Sequence, residues 1–202
     1  LDAPVPGHPD GLLRRAAEIL PDDARILFDR ACLSETLGAP HIQAVLNDPR
    51  VQNTDAALNF RPGRAPTPRG ATRVVAVGER QANSEAESLF RRALDADGSL
   101  VEARMRLGRL LLLRGRDAEA ATMLAQAVTA ARDPAVAYLS HLLAARADER
   151  LDELDEAAAH ADAALALFPG AQSALIAKSH IALQRADAAG ALDPIILLAR
   201  RD

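Results

Sequence analysis

Six carboxylates crowd one short stretch of the chain: Asp148, Glu149, Asp152, Glu153, Asp155 and Glu156. Acids at that density could hold a hard divalent cation. A calcium loop, however, needs alternating oxygen ligands and a glycine at its sharp turn, and the run has neither. The same acids suit the entrance of a helix, where the first amides carry a partial positive charge, so the run reads as a solvated helix start. Five histidines, His8, His41, His141, His160 and His180, lie far apart and show none of the short spacings of zinc ligands. His160 follows Glu156 by four residues, a same-face helix pair. Cys32, the only cysteine, sits between Ala31 and Leu33. No signature places a base beside it, so it reads as a small buried apolar residue, and an internal disulfide is excluded. There is no glycine-rich phosphate loop, nucleophile elbow or paired zinc motif. The residue types point to no reaction, no metal and no cofactor.

Composition narrows the function further. A net charge of −4 is mild and well mixed, with no basic stripe for a phosphate backbone, so nucleic acid is not an expected partner. The apolar half of the chain is mostly Ala and Leu, and the only aromatics are Phe28, Phe60, Phe90, Phe168 and Tyr138. Small side chains let helices approach closely, while so few rings argue against a deep cofactor pocket or a base-stacking platform. No apolar run is long enough to span a bilayer, so membrane insertion is not expected. Every basic side chain except Lys178 is an arginine, which fits the coding of a GC-rich bacterium. Leu1 in place of a start methionine fits removal of a signal peptide or of an upstream domain, which leaves cytoplasm and periplasm both open.

The elements that must carry these residues are helical. Apolar spacing predicts helices over 10–20 and 24–37, the second capped from Pro21-Asp22-Asp23 and stopped at Gly38, with a short partner over 41–46. Residues 48–82 break the pattern. Pro49, Pro62, Gly63, Pro66, Pro68 and Gly70, together with Arg50, Arg61, Arg64, Arg69 and Arg73, read as a long loop or linker, with a short strand conceivable at 74–77. Regular structure is expected to resume at a capping box, Ser84-Glu85-Ala86-Glu87, and again at Ser99-Leu100-Val101-Glu102. Asp117 is expected to cap the next helix, and Asp133-Pro134 to open another. Helices near 152–167 and 171–185 follow. In the last element, 188–201, Pro194 either kinks the helix or marks its start with Asp193 as the cap.

A repeat runs through the second half. Ala86, Phe90, Ala93 and Leu94 recur as Ala120, Leu124, Ala127 and Val128, 34 positions on (120 − 86), then as Ala157, Ala161, Ala164 and Leu165, and again as Ala191, Ile195 and Leu198. A period near ~34 residues built from helix formers marks a stack of helix pairs. Within it, Leu107-Gly108, Leu111, Gly115, Ala120, Leu124 and Ala127 resemble a tetratricopeptide repeat. The residues carry the reason. Gly108 and Ala120 are small where the paired helices cross, Gly115 permits a tight turn, and Ala127 admits the next pair. Tyr138, Leu142, Ala157, Ala161, Ala164 and Pro169 form a weaker copy, and Leu175, Ser179, Ala182 and Ala191 another. The large aromatic usual in the first helix is Arg104 here. Residues 86–173 are also similar to exported bacterial repeat proteins, a likeness that brings no known activity.

The resemblance implies an all-α fold: a right-handed superhelical array of antiparallel helix pairs, an α-solenoid, with one long irregular insertion. The expected organisation is a degenerate helix pair in 1–47, the loop in 48–82 and the array in 83–202. By the same resemblance the first helices line the face where partners bind. That places Met105, Arg109, Leu112, Leu113, Leu139, Leu143, Arg146, Ile176, His180 and Leu183 on an apolar lining with a few cations. It would suit a protein or peptide bearing an acidic group. The same residues are ordinary core if the C-terminal helices fold over that face. The Lys and Asn pairs with which one branch of the family grips chaperone carboxylate tails are missing. A binding scaffold without catalysis is the expectation, with an assembly subunit or a regulatory segment of a larger enzyme as the alternatives.

Overall fold

The computed structural model describes residues 9–46 and 78–199, and every regular element among them is a helix. In chain order these are α1 (Pro9–Ile19), α2 (Ala24–Leu37), α3 (Pro40–Leu46), α4 (Glu79–Ala96), α5 (Val101–Leu113), α6 (Asp117–Ala130), α7 (Pro134–Arg150), α8 (Leu154–Leu167), α9 (Gln172–Gln184) and α10 (Ala188–Ala199). The fold is an all-α array of helix pairs. The expected loop, as far as residue 77, and the expected strand at 74–77 lie outside the described residues. Two compact units divide inside α4, between Leu89 and Phe90.

In the first unit Asp23 caps α2 by accepting from the amides of Arg25 and Ile26, both at 3.0 Å. Leu27 and Ala31 of α2 are buried, as are Ala82 and Ala86 of α4. Gly38 has no room for a side chain, since a Cβ there would run into Asn83 and sit 3.3 Å from Ala82 Cβ. Arg30 and Glu85 form a loose ion pair at 3.9 Å. α4 starts at Glu79, five residues ahead of the Ser84 box (84 − 79), so Ser84 lies within the helix. Glu79 sits in the first turn, where a carboxylate is favoured without any hydroxyl cap.

The second unit is built on one turn used three times. Gly115, Asp152 and Ala186 follow α5, α7 and α9 with φ of 70°, 64° and 59°. The amide one residue further on reaches back to the carbonyl five residues before it: Arg116 to Leu111 at 3.0 Å, Glu153 to Asp148 at 2.9 Å, Asp187 to Ala182 at 2.9 Å. The left-handed residue itself donates to Leu112, Glu149 and Leu183 respectively. This is the Schellman motif, which satisfies helix-end carbonyls while reversing the chain. Its spacing is 37 residues (152 − 115) and then 34 (186 − 152), so the turn sets the repeat's register. Only the first copy uses glycine, the residue that takes this conformation freely.

Helix starts, unlike the turns, are not made alike. Asp133 caps α7 through the amides of Ala135, 2.8 Å, and Val136, 3.0 Å. The Ser99 box does not form. Leu100 is the cap residue, and Ser99 bonds Asp97 instead, amide at 2.8 Å and hydroxyl at 2.6 Å, while Glu102 pairs with Arg106 at 2.9 Å. Asp117 is the first helical residue of α6 rather than its cap. α10 begins at Ala188 and carries Pro194 inside it, so Asp193 is not its cap. Asp187 serves that end by accepting from the Gly190 amide at 2.9 Å.

The pairs close on complementary side-chain sizes. A Cβ on Gly108 would lie 2.6 Å from Leu124 Cγ, so α5 and α6 cross with a glycine against a leucine. Thirty-seven residues on, the same two positions are Ala145 and Ala161, which share a buried cluster with Ala157 and Ile181. One crossing uses nothing against large, the next small against small. α7 also meets the end of α8 through an edge-on contact of Tyr138 with Phe168, ring centroids 5.2 Å apart.

Two outcomes follow for chemical denaturation. Gly108→Ala is expected to cost about 1–3 kcal/mol, and Leu124→Ala about 2–5 kcal/mol. Together they should cost less than their sum, because the pair then copies Ala145 and Ala161; strict additivity would refute the packing account. Ala186→Gly is expected to stabilise by about 0.5–1 kcal/mol and Asp152→Gly by less, since Asp tolerates the left-handed region better than Ala. Gly115→Ala should destabilise by about 1–2 kcal/mol.

Candidate functional site

The first helices of successive pairs touch one another, α5 against α7 and α7 against α9. Polar ties cross both seams. Arg150 donates to the Leu112 carbonyl at 2.7 Å and pairs with Asp117 at 3.1 Å. Glu149 accepts from Gln184 at 2.8 Å and also meets His180. Lys178 pairs with Asp162 and Arg185 with Asp155, joining α9 to α8.

Register explains where each predicted site residue lies. Arg109, Arg146 and His180 occupy one position in three successive first helices, 37 and then 34 residues apart, and all three are exposed. Leu113, Leu139, Ile176 and Leu183 are exposed and Leu143 is half-buried. Met105 and Leu112 are not on an open face: they are core residues, 7% and 4% exposed. The reason is their place in the stack. Ile176 and Leu183 hold the same register positions in α9 and are 53% and 59% exposed. α5 has a following first helix packed on it, while α9 has none among the described residues.

The array also assembles a group that chain spacing conceals. His141 on α7 and His160 on α8 meet through their Nδ1 atoms at 2.9 Å. His160 Nε2 faces Asp148 Oδ2 at 3.7 Å. Asp148 is buried, and that oxygen has no hydrogen-bond partner. Burial pushes its carboxyl above the usual range, against the His160 imidazole, which lowers it, and with Glu153 and Glu156 adding to the rise. Burial, and then His160, hold the His141 imidazole below its ordinary value. Reading the turn register backwards places Asp148 where α5 has Leu111, a fully buried core leucine (148 − 37). A carboxylate therefore replaces the core residue of a sister repeat. No three His, Cys, Asp or Glu side chains among the described residues are grouped to hold a metal ion.

On the second-helix side of the first pair, Arg104, Ala125, Gln126, Thr129 and Ala130 line a shallow groove of 430 Å³. No described helix is long and apolar enough to cross a membrane.

Residues 79–147 match a family model described as tetratricopeptide repeat. That stretch of the chain is similar to tetratricopeptide repeats. Solved structures agree on the fold. The structure titled for Pseudomonas aeruginosa pilF superposes with a TM-score of 0.62 at 16% identity, over 93% of this chain and 65% of that one. A crystal structure of MamA gives 0.54 at 19%, over 58% and 67% of the two chains, and MamA MSR-1 C2 gives 0.55 at 15%, over 86% and 95%. The chain therefore spans just under two thirds of the pilF structure. No curated protein matches it in sequence. Asp148, His141 and His160 all belong to one helix pair, α7 and α8.

Asp148→Leu should therefore restore the repeat's core. At pH 7 the variant is expected to be more stable by about 1–3 kcal/mol, read from thermal or urea denaturation. Destabilisation would show that the site needs its carboxylate.

Proposed function

We propose that this chain is a non-catalytic protein-binding scaffold whose first-helix face receives a peptide bearing both carboxylates and apolar side chains. What supports this is the recurrence of Arg109, Arg146 and His180 at one exposed register position, beside exposed Leu113, Leu139, Ile176 and Leu183 and the flank of Leu143. Arg109 and Arg146, with His180 already meeting Glu149, set a line of cationic groups that acidic side chains of a partner can join, and the leucines give that partner something to bury. Charge chooses the partner and apolar contact holds it. Three cations, one of them charged only when protonated, are too few for a phosphate backbone. Met105 and Leu112 serve this reading from beneath, as the packed floor that holds α5 and α7 in place.

The test is a displayed peptide library sorted by net charge. Selected binders should be enriched in Asp and Glu flanking apolar residues, and Arg109→Glu with Arg146→Glu should weaken them at least tenfold without lowering the Tm. Enrichment of basic peptides, or binding unchanged by the charge reversals, would overturn the reading. A concentration-dependent oligomer in light scattering that Leu183→Glu abolishes would instead make the exposed end of α9 an assembly surface.

A further inference from the structure

The His141, His160 and Asp148 group has no part in peptide binding as proposed above, and it lies between the two helices of one repeat. We infer that it is an acid-sensitive latch holding α7 to α8. The Nδ1 to Nδ1 contact at 2.9 Å is a hydrogen bond only if one ring brings the proton and the other a lone pair. A buried carboxylate 3.7 Å from His160 Nε2 selects the His160 form with a proton on Nε2. In the uncharged pair His160 Nδ1 then accepts from His141 Nδ1–H. One added proton is accommodated: a single Nδ1–H still bridges the two rings, and Asp148 faces the added charge. A second added proton is not, since two N–H groups then face each other and two like charges share one seam.

Other charges surround the group on both helices. On α7, Glu149 is held by His180 and Gln184 of α9, and Arg150 by Asp117 of α6 and the Leu112 carbonyl of α5. At the start of α8, Glu153 and Glu156 act on Asp148, raising its carboxyl, and on α8 Asp162 is paired with Lys178 of α9.

The signs of the two shifts predict the pH profile. His141 is held below its ordinary value, so the unfolded chain binds the proton first, and stability falls as pH drops from about 6.5. Asp148 is held above its ordinary value, so the folded chain takes up a proton first as pH falls toward the carboxylate range, which offsets part of that loss.

The test is the Tm of the full chain measured between about pH 7.5 and about pH 5.5, for wild type, His141→Gln and Asp148→Asn. Wild type is expected to lose about 2–4 °C more across that range than His141→Gln. Asp148→Asn should lose more than wild type, because the added proton has no counter-ion. Comparing slopes rather than absolute Tm separates the latch from any general packing cost of the substitutions. Long-range imidazole NMR supplies the second readout: the latch requires different tautomers on the two rings at neutral pH. Parallel Tm profiles for wild type and His141→Gln, or two rings that titrate independently at the ordinary histidine value, would overturn it.

Discussion

One left-handed residue at the end of each first helix governs the array. The Schellman turn at Gly115, Asp152 and Ala186 satisfies the last carbonyls of α5, α7 and α9 and reverses the chain in the fewest residues. That reversal brings each first helix against its partner, and from it come the glycine-on-leucine and alanine-on-alanine crossings. The left-handed backbone is strained for Ala186 and comfortable for Gly115, yet the same hydrogen bonds form at both. Helix packing on either side therefore outweighs a local cost of about 1–2 kcal/mol.

The same register governs exposure. Met105 and Leu112 are covered by the pair that follows them, and Ile176 and Leu183 are not. Even where two copies of a position are both apolar, accessibility depends on what lies next in the stack. An apolar lining read from one repeat is therefore core in one place and surface in another. The cationic position, at Arg109, Arg146 and His180, is exposed in all three helices.

Cost and specialisation meet in a single repeat. Where α5 places Leu111, α7 places Asp148, and the two neighbouring positions that face each other across the pair are histidines. A buried carboxylate with an unpartnered oxygen opposes folding, and its presence distinguishes this repeat chemically from its neighbours.

Much of the fold was legible in the sequence. Ala and Leu at helical spacing, the ~34-residue period and the Gly115 turn define helix pairs by local chemistry alone, and the end of α5 follows from Gly115. Local signals failed where the backbone had another option: Ser99 found Asp97 closer than the helix amides, and α4 extended ahead of Ser84 on residues with no cap signature. The Asp152 and Ala186 turns were not legible, because neither residue announces a left-handed backbone. The histidine pair was invisible for a different reason. His141 and His160 are separated by the path down one helix and up the next, and no pairwise spacing rule covers that distance. Composition and period determined that this chain is a stack of helix pairs. Only tertiary packing decided which leucines are buried and that two distant histidines share a hydrogen bond, because both depend on how one pair is laid against the next.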